Sequence, residues 1–450
     1  METSVCGPKG RWLVGSLPDF GRDPLGFLEN CARNYGDFVT LRFFNRTVLL
    51  INDPRAIEQV LATQHRNFQK TLGYRTPFMR RLFGQGLLVS EGPLWTRQRR
   101  LAQPAFHRER IAGYASTIVT FTDRLAERWE SGEVRDIHAE MLRLTTQVVT
   151  KTLFNAAVPP EIEKLGSASE AVMAHFTNQW SIWRMLLSLL PSPGKRRFDQ
   201  VMERLDDYIF NVIRERRASG DTGDLLSMLL IARDENGNAM SDQQLRDELT
   251  TLMVAGLDTT ALALSWGFYL LARHPAVATE LADEIAEVLG ERAPAFEDLP
   301  RLKFTECVMK ETMRLYPPAW IVGREAIADC EVEGRAVKKG TSVIMSQWLM
   351  HRDPRHFTNV DQFEPARWGV EENKLPKFAY FPFGGGPRVC IGNSFAMMEA
   401  MLVTARLMQR FRFSPQSTMP ILPWASITLQ PRGGIPLRIE HRRVQFSPVS

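Results

Sequence analysis

Cys390 closes a glycine-rich run, Phe381-Pro382-Phe383-Gly384-Gly385-Gly386-Pro387-Arg388-Val389-Cys390-Ile391-Gly392. From Asn393 onward Phe395, Met398, Leu402 and Ala405 recur at helical spacing with no breaker before Phe411, so this cysteine lies at the positive end of a helix dipole. A thiolate is favoured there: the glycines let backbone N–H groups turn toward the sulfur, and Arg388 adds a fixed positive charge. A structural zinc asks for about four N/S ligands, usually as paired cysteines. No second cysteine or histidine stands close to Cys390 in sequence, and one thiolate acting alone suits haem iron. Taken by itself, a lone cysteine is more simply a buried free thiol.

Three further groupings share helix faces. Trp95 and Arg99, four apart in a helix opened by Gly92-Pro93, point from one side; by themselves they read as part of a solvated arginine-rich face. Glu311 and Arg314, three apart in the helical run from Phe304 to Leu315, can pair. Ala255-Gly256-Leu257-Asp258-Thr259-Thr260 lies within a longer run, Leu245, Leu249, Leu252, Gly256, Thr259 and Ala263, that starts at a Ser241/Gln244 capping box and stops at Arg273-His274-Pro275. A mid-helix glycine costs about 1 kcal/mol relative to alanine, so local stability is not the sole constraint on that turn. The plainer reading is a kink with threonines bonded back to the preceding turn. Adjacent Asp258 and Thr259 project about 100° apart around the helix.

The elements that must position these residues are mainly α-helical, with small β regions. Phe38 to Phe43 and Thr47 to Ile51 read as a hairpin turning at Asn45-Arg46, followed by a helix with Asp53 as cap and Pro54 in its first turn. Lys70 to Ser90 reads as a long irregular connection, and Arg124 to Ala232 as predominantly helical with breaks at Val158-Pro159-Pro160, Pro191-Ser192-Pro193-Gly194 and Ala218 to Asp224. Ile427 to Leu429 and Ile435 to Ile439, flanking Gly433-Gly434, read as a terminal hairpin. His107, His351 and His356 stand in arginine-rich polar stretches and read as surface or helix-end residues.

The 450 residues are 44% hydrophobic and no linker-like stretch divides them, so a single domain, 1–450, is expected. A formal charge of +5, dispersed along the chain, argues against nucleic-acid binding. Cys6, Cys31, Cys307, Cys330 and Cys390 are scattered, which argues against a disulfide framework and for a reducing compartment, the cytoplasm. Met1 to Asp19 never approaches the roughly 18 apolar residues of a membrane span, so no membrane anchor is expected.

Phe383-x-x-Gly386-x-Arg388-x-Cys390-x-Gly392 resembles the haem-binding signature of the cytochrome P450 monooxygenases. The resemblance continues through Trp95-x-x-x-Arg99, Ala255-Gly256-Leu257-Asp258-Thr259-Thr260, Glu311-x-x-Arg314 and Phe363-x-Pro365-x-Arg367-Trp368, covering nearly the whole chain. It implies the P450 fold, in which a long central helix lies over a haem held by a cysteine loop, in a soluble, bacterial-type, monomeric protein. Cys390 would ligate the iron of heme b. Phe383, Gly384, Arg388 and Gly392 would belong to the cofactor-binding loop, and Trp95, Arg99 and Arg324 would meet its propionates.

Ala255 and Gly256 would form a weakened turn that leaves room for dioxygen, with Asp258 and Thr259 handling protons. Glu311, Arg314 and Arg367 would make a buried charged network holding the cysteine loop. The stretch from Lys70 to Ser90, the segment Ala319 to Gly323 and the terminal hairpin would border substrate, and the aromatics Phe176, Trp180 and Trp183 would belong to a lid. Arg97 and Arg100 are left for solvent or a redox partner.

The implied reaction inserts one atom of dioxygen into a lipophilic substrate: a fatty acid, terpenoid or steroid-like molecule. Trp95 to Arg100 and Pro104-Ala105-Phe106-His107 resemble the fatty-acid-hydroxylating branch. Only about 60 residues follow Cys390, too few for a flavoprotein domain, so electrons from NAD(P)H would arrive through a ferredoxin or flavodoxin with its reductase. The alternatives are a haem-binding sensor without turnover and a peroxide-driven haem-thiolate enzyme, which often lacks the acid and threonine pair.

Overall fold

The computed structural model describes residues 6–155, 193–370 and 374–442. The expected lid aromatics Phe176, Trp180 and Trp183 and the break at 158–160 lie outside these residues. The longer helices are α1 (Pro24–Tyr35), α2 (Pro77–Phe83), α3 (Gly92–Ala102), α4 (Ala115–Ala126), α5 (Ile137–Phe154), α6 (Pro193–Ser219), α7 (Asp242–Arg273), α8 (Pro275–Leu289), α9 (Lys303–Leu315) and α10 (Asn393–Arg410). The strands are short: β1 (Phe38–Phe43), β2 (Arg46–Ile51), β3 (Phe68–Lys70), β4 (Val134–Asp136), β5 (Val322–Ala326), β6 (Cys330–Val332), β7 (Arg335–Val337), β8 (Ser342–Met345), β9 (Phe411–Pro415), β10 (Pro423–Ala425), β11 (Leu429–Pro431) and β12 (Pro436–His441).

Helix α7 runs through the centre, as its apolar repeat requires. Ser241 Oγ accepts the Gln244 N–H at 3.2 Å while Gln244 Oε1 accepts the Ser241 N–H at 3.1 Å, a reciprocal cap of the kind that stabilises a helix start by about 1 kcal/mol. Its apolar stretch is long enough to cross a membrane, yet 78% of it is buried inside the protein, so it serves as a core helix. Leu262, Leu264 and Trp266 pack with Leu144 and Val148 of α5 in the largest apolar core.

The β regions sit to one side. Strand order β1-β2-β8-β5-β3 builds a five-stranded sheet, and Phe38 pairs with Ile51 at the open end of the β1–β2 hairpin as anticipated. Asp53 caps the next helix, its Oδ1 accepting from Arg55 and Ala56 N–H groups at 3.0 and 2.9 Å.

Two expectations need correction. Lys70 to Ser90 is not irregular throughout: Thr76 caps α2 by accepting the Met79 N–H at 3.3 Å, and Gly84, at φ 53°, stops it. The terminal strands do not pair with each other. Leu429 pairs back with Ala425 across a tight turn, whereas β12 pairs with β9 and β4. Gly433 and Gly434, at φ 77° and 79°, redirect the chain between sheets instead of closing a hairpin.

Candidate active site

The cysteine loop is pressed into place by backbone. Gly386, at φ 64°, lies so close to Gln59–Thr63 that a Cβ there would come within 1.9 Å of the Leu61 carbonyl oxygen. The Cys390 N–H donates to Phe383 O at 3.0 Å, and α10 begins just beyond, capped by Gly392. The Cys390 side chain opens on an internal cavity of about 320 Å³. Burial pushes its thiol pKa up; the Gly392 N–H and the Arg99 charge pull the other way without prevailing. Burial thus opposes the charged sulfur that the helix end and Arg99 favour, and a bound cation would favour it further. Arg388 is not the charge acting on the sulfur. Its guanidinium donates to Ser90 O at 2.9 Å, pairs with Glu91, and lies 4.2 Å from the Trp95 ring centroid.

Cations gather at one edge of the cavity. Arg99 donates to Val389 O at 2.9 Å, tying α3 to the cysteine loop. Lys70 and Arg324 stand opposite each other on paired strands β3 and β5. Burial and the nearby Arg324 and Arg388 charges hold the Lys70 ammonium well below its usual pKa, and burial also lowers Arg324. Arg388 is brought down to about 10 by burial, with Glu91 opposing and Arg324 adding to the fall. Glu91 is the carboxylate that bears on Lys70, Arg324 and Arg388 together. So many buried cations sharing one carboxylate call for anions from outside the chain. The two propionates of a haem answer that demand, and a solitary thiolate donor answers the iron: among the described residues no cluster of His, Cys, Asp and Glu could hold a metal otherwise. The residues present fit the cofactor. Lys70, Tyr74 and Glu91 were missed from sequence: Lys70 stands on a strand of three residues, and nothing local ties any of the three to this site.

On the opposite wall, Ala255, Thr259, Thr260 and Ala263 of α7 line the cavity. Thr259 Oγ1 donates to Ala255 O at 2.7 Å, the back-bonded arrangement, and α7 continues through this turn as helix. Gly256 is not on the main wall. It faces Val149 of α5, whose Cγ2 would lie 3.1 Å from a Cβ at 256, and with Gly392 it borders an adjoining cavity of about 100 Å³. The glycine thus serves a close helix approach as well as open space. Asp258 points off the cavity into the protein, as the 100° offset predicts, and accepts from Thr428 Oγ1 at 2.8 Å and Gln430 Nε2 at 3.2 Å.

The charged network forms as expected and contacts neither cavity through its acid. Glu311 takes two bonds from Arg314 at 2.9 Å, one from Arg367 Nε at 3.1 Å and one from Trp368 Nε1 at 2.9 Å. Arg314 also donates to the carbonyls of His351, Val360 and Gln362. His351 is fully buried, which corrects its reading as a surface residue, although it does cap the short helix Gln347–Met350. Arg97 is likewise not left to solvent: its Nε pairs with Asp234 at 2.6 Å and its other nitrogens reach Gln244 and the Asn238 and Ala239 carbonyls. Arg100 stays exposed beside Glu235.

Trp95, Arg99, Ala255, Thr259, Arg324, Phe383, Gly384, Arg388 and Cys390 therefore converge on one cavity. A larger open concavity of about 540 Å³ near Tyr35, Arg55 and Arg335 holds none of them. A family model described as Cytochrome P450 matches residues 6–437. The chain is 38% identical over 427 residues to cyclooctatin synthase of Streptomyces melanosporofaciens, covering 94% of this chain and 92% of that one. It is 32% identical over 433 residues to pentalenene oxygenase of Streptomyces avermitilis, covering 96% of each. A crystal structure of the cytochrome P450DA heme domain superposes with a TM-score of 0.87 at 27% identity, covering 97% of both chains.

Proposed function

The chain belongs to the cytochrome P450 family and is a haem-dependent monooxygenase for a lipophilic substrate, and from that premise we propose that its substrate is an uncharged terpenoid hydrocarbon or alcohol. Relatives are named for cyclooctat-9-en-7-ol and pentalenene. The observation that carries the reading is the separation of charge in the cavity. Leu87, Leu88, Leu252, Ala263, Ile321 and Val322 form apolar wall, while the cations Lys70, Arg324 and Arg388 cluster with Glu91 and Arg99 bonds the cysteine loop. Among the described lining residues, no cation stands apart to hold a fatty-acid carboxylate.

In this reading Cys390 is the iron ligand, and haem so held supplies dioxygen activation. Lys70, Trp95, Arg99, Arg324 and Arg388 would hold the cofactor by its anionic propionates. Phe383, Gly384 and Gly392 would shape the loop that holds it, and Ala255 would leave the facing wall open, with Gly256 bordering the adjoining cavity. Because Thr259 Oγ1 donates to Ala255 O, its lone pairs face the cavity and can accept from a water. To pass a proton onward, the hydroxyl exchanges that bond. Asp258, behind the wall, relays protons to it without touching substrate. Glu311, Arg314 and Arg367 hold structure. We read the chain as one cytoplasmic, monomeric domain that receives NAD(P)H electrons through a separate ferredoxin or flavodoxin and reductase.

Spin-state titration of the haem-loaded protein with a cyclic terpene, a long-chain fatty acid and a steroid tests the substrate class. The terpene should give the tightest shift, and equal or tighter binding of the fatty acid overturns the reading. NADPH turnover with a surrogate ferredoxin pair tests the electron route; equal rates with peroxide alone would refute it.

A further inference from the structure

The Asp258 carboxyl is held by uncharged donors from the far end of the chain. Thr428 Oγ1 donates to its Oδ2 at 2.8 Å and Gln430 Nε2 to its Oδ1 at 3.2 Å, and Gln430 Nε2 also reaches Thr428 Oγ1 at 2.8 Å. All three side chains are buried. The hairpin β10–β11 that carries these donors is itself fixed: Trp266 Nε1 of α7 donates to Leu429 O at 3.0 Å, and Leu429 N–H to Pro318 O at 3.0 Å. Pro318 lines the cavity. The hairpin is thus clamped between the central helix and the cavity wall, and none of Pro423–Pro431 is among the residues that line the cavity.

We propose that Thr428 and Gln430 are positioning residues for proton delivery, holding the Asp258 carboxyl in the orientation from which it serves Thr259. This deepens the reading of Asp258 as a relay and rests on it. Burial raises the Asp258 pKa, while the Thr428 and Gln430 bonds and the His138 charge oppose the rise. Among the described residues, His138 of α5 is the titratable group that bears on the carboxyl; it lies one helix away, its Nδ1 3.1 Å from Ser265 Oγ. The hairpin presents only uncharged donors. Donors to a carboxylate favour its charged form, so deleting one raises the pKa and moves the acidic limb of turnover to higher pH.

The experiment uses haem-loaded Thr428→Val and Gln430→Met, with Thr428→Ser as the conservative variant and Asp258→Asn as reference. Product per NADPH, the solvent deuterium isotope effect on kcat, the pH profile and the spin-state titration are measured on each. Either deletion should lower kcat about fivefold, as expected for one lost hydrogen bond, raise the isotope effect and shift the acidic limb upward. The spin-state titration should not move, and Thr428→Ser should recover the wild-type profile. Wild-type kcat, isotope effect and limb in either well-folded deletion, against a slowed Asp258→Asn, would overturn the positioning role alone. Wild-type behaviour of Asp258→Asn would overturn the relay and this inference together.

Discussion

The Phe381 N–H donates to Nε2 of His351 at 3.0 Å, so that nitrogen is an acceptor and the ring is neutral, with its proton on Nδ1 toward Met313 O. This bond joins the Glu311–Arg314 network to the strand of chain that enters the cysteine loop. Tyr380, one residue earlier, packs its ring 4.3 Å from Trp368 and donates its hydroxyl to Lys310 O.

Burial, with help from Arg314 and Arg352, lowers the His351 pKa to about 3. The unfolded chain binds a proton near pH 6.5 that the folded chain refuses, so stability is full above pH 6.5 and falls as pH drops toward 3, by about 1.4 kcal/mol per unit. His351→Gln keeps an acceptor for Phe381 and removes the titration. Its unfolding free energy should vary less between pH 5 and 7, and an unchanged slope in denaturant melts would refute the assignment.

Glu399 shows the opposite sign. It is fully buried on α10, neither carboxyl oxygen has a hydrogen-bond partner among the described residues, and burial raises its pKa to about 8. A carboxyl raised from about 4.5 contributes stability that is fully present below that value and is lost as pH rises through 8. Glu399→Met should therefore stabilise the protein by about 1–3 kcal/mol, and by more at pH 9 than at pH 5. A gain that is equal at both pH values, or a loss, counts against a buried unpaired carboxyl.

Lys70 separates cofactor retention from apoprotein stability. Removing one of several crowded cations relieves repulsion in the empty site but deletes a partner for an anion, so Lys70→Met should raise the melting temperature of the apoprotein while haem transfers more readily to apomyoglobin. A variant that loses stability in the apo form and keeps its haem contradicts the arrangement.

Cys390→Ala should abolish the red-shifted Soret band of the reduced carbon-monoxide complex, since no other cysteine among the described residues lines the cavity. Persistence of that band would exclude Cys390 as the ligand.

Local signals in the sequence carried the fold a long way. The capping box at Ser241, the Asp53 cap and the β1–β2 hairpin each rest on chemistry within a few residues, and each appears where expected. The Thr76 cap was equally local but was hidden among glycines. Long-range pairings were not legible: Lys70 facing Arg324 across β3 and β5, β12 pairing with β4, and Thr428 reaching Asp258 all join segments whose separation carries no periodic trace. Spacing placed Asp258 and Thr259 on different faces, yet only the fold says what fills the Asp258 face. Arginine-rich stretches misled most, because charge alone does not distinguish a free Arg97 from one tied to Asp234.

Gly386 has no room for a methyl group against Leu61, and Gly385 has none against the Phe378 ring. The loop that carries the sulfur is therefore braced by the sheet side of the molecule, through contacts made before α10 begins. The walls that meet substrate come from α7, the Leu87–Leu88 stretch and the Pro318–Val322 segment. Substitutions in those walls would then change which molecules fit the cavity without disturbing the packing that holds the Cys390 loop.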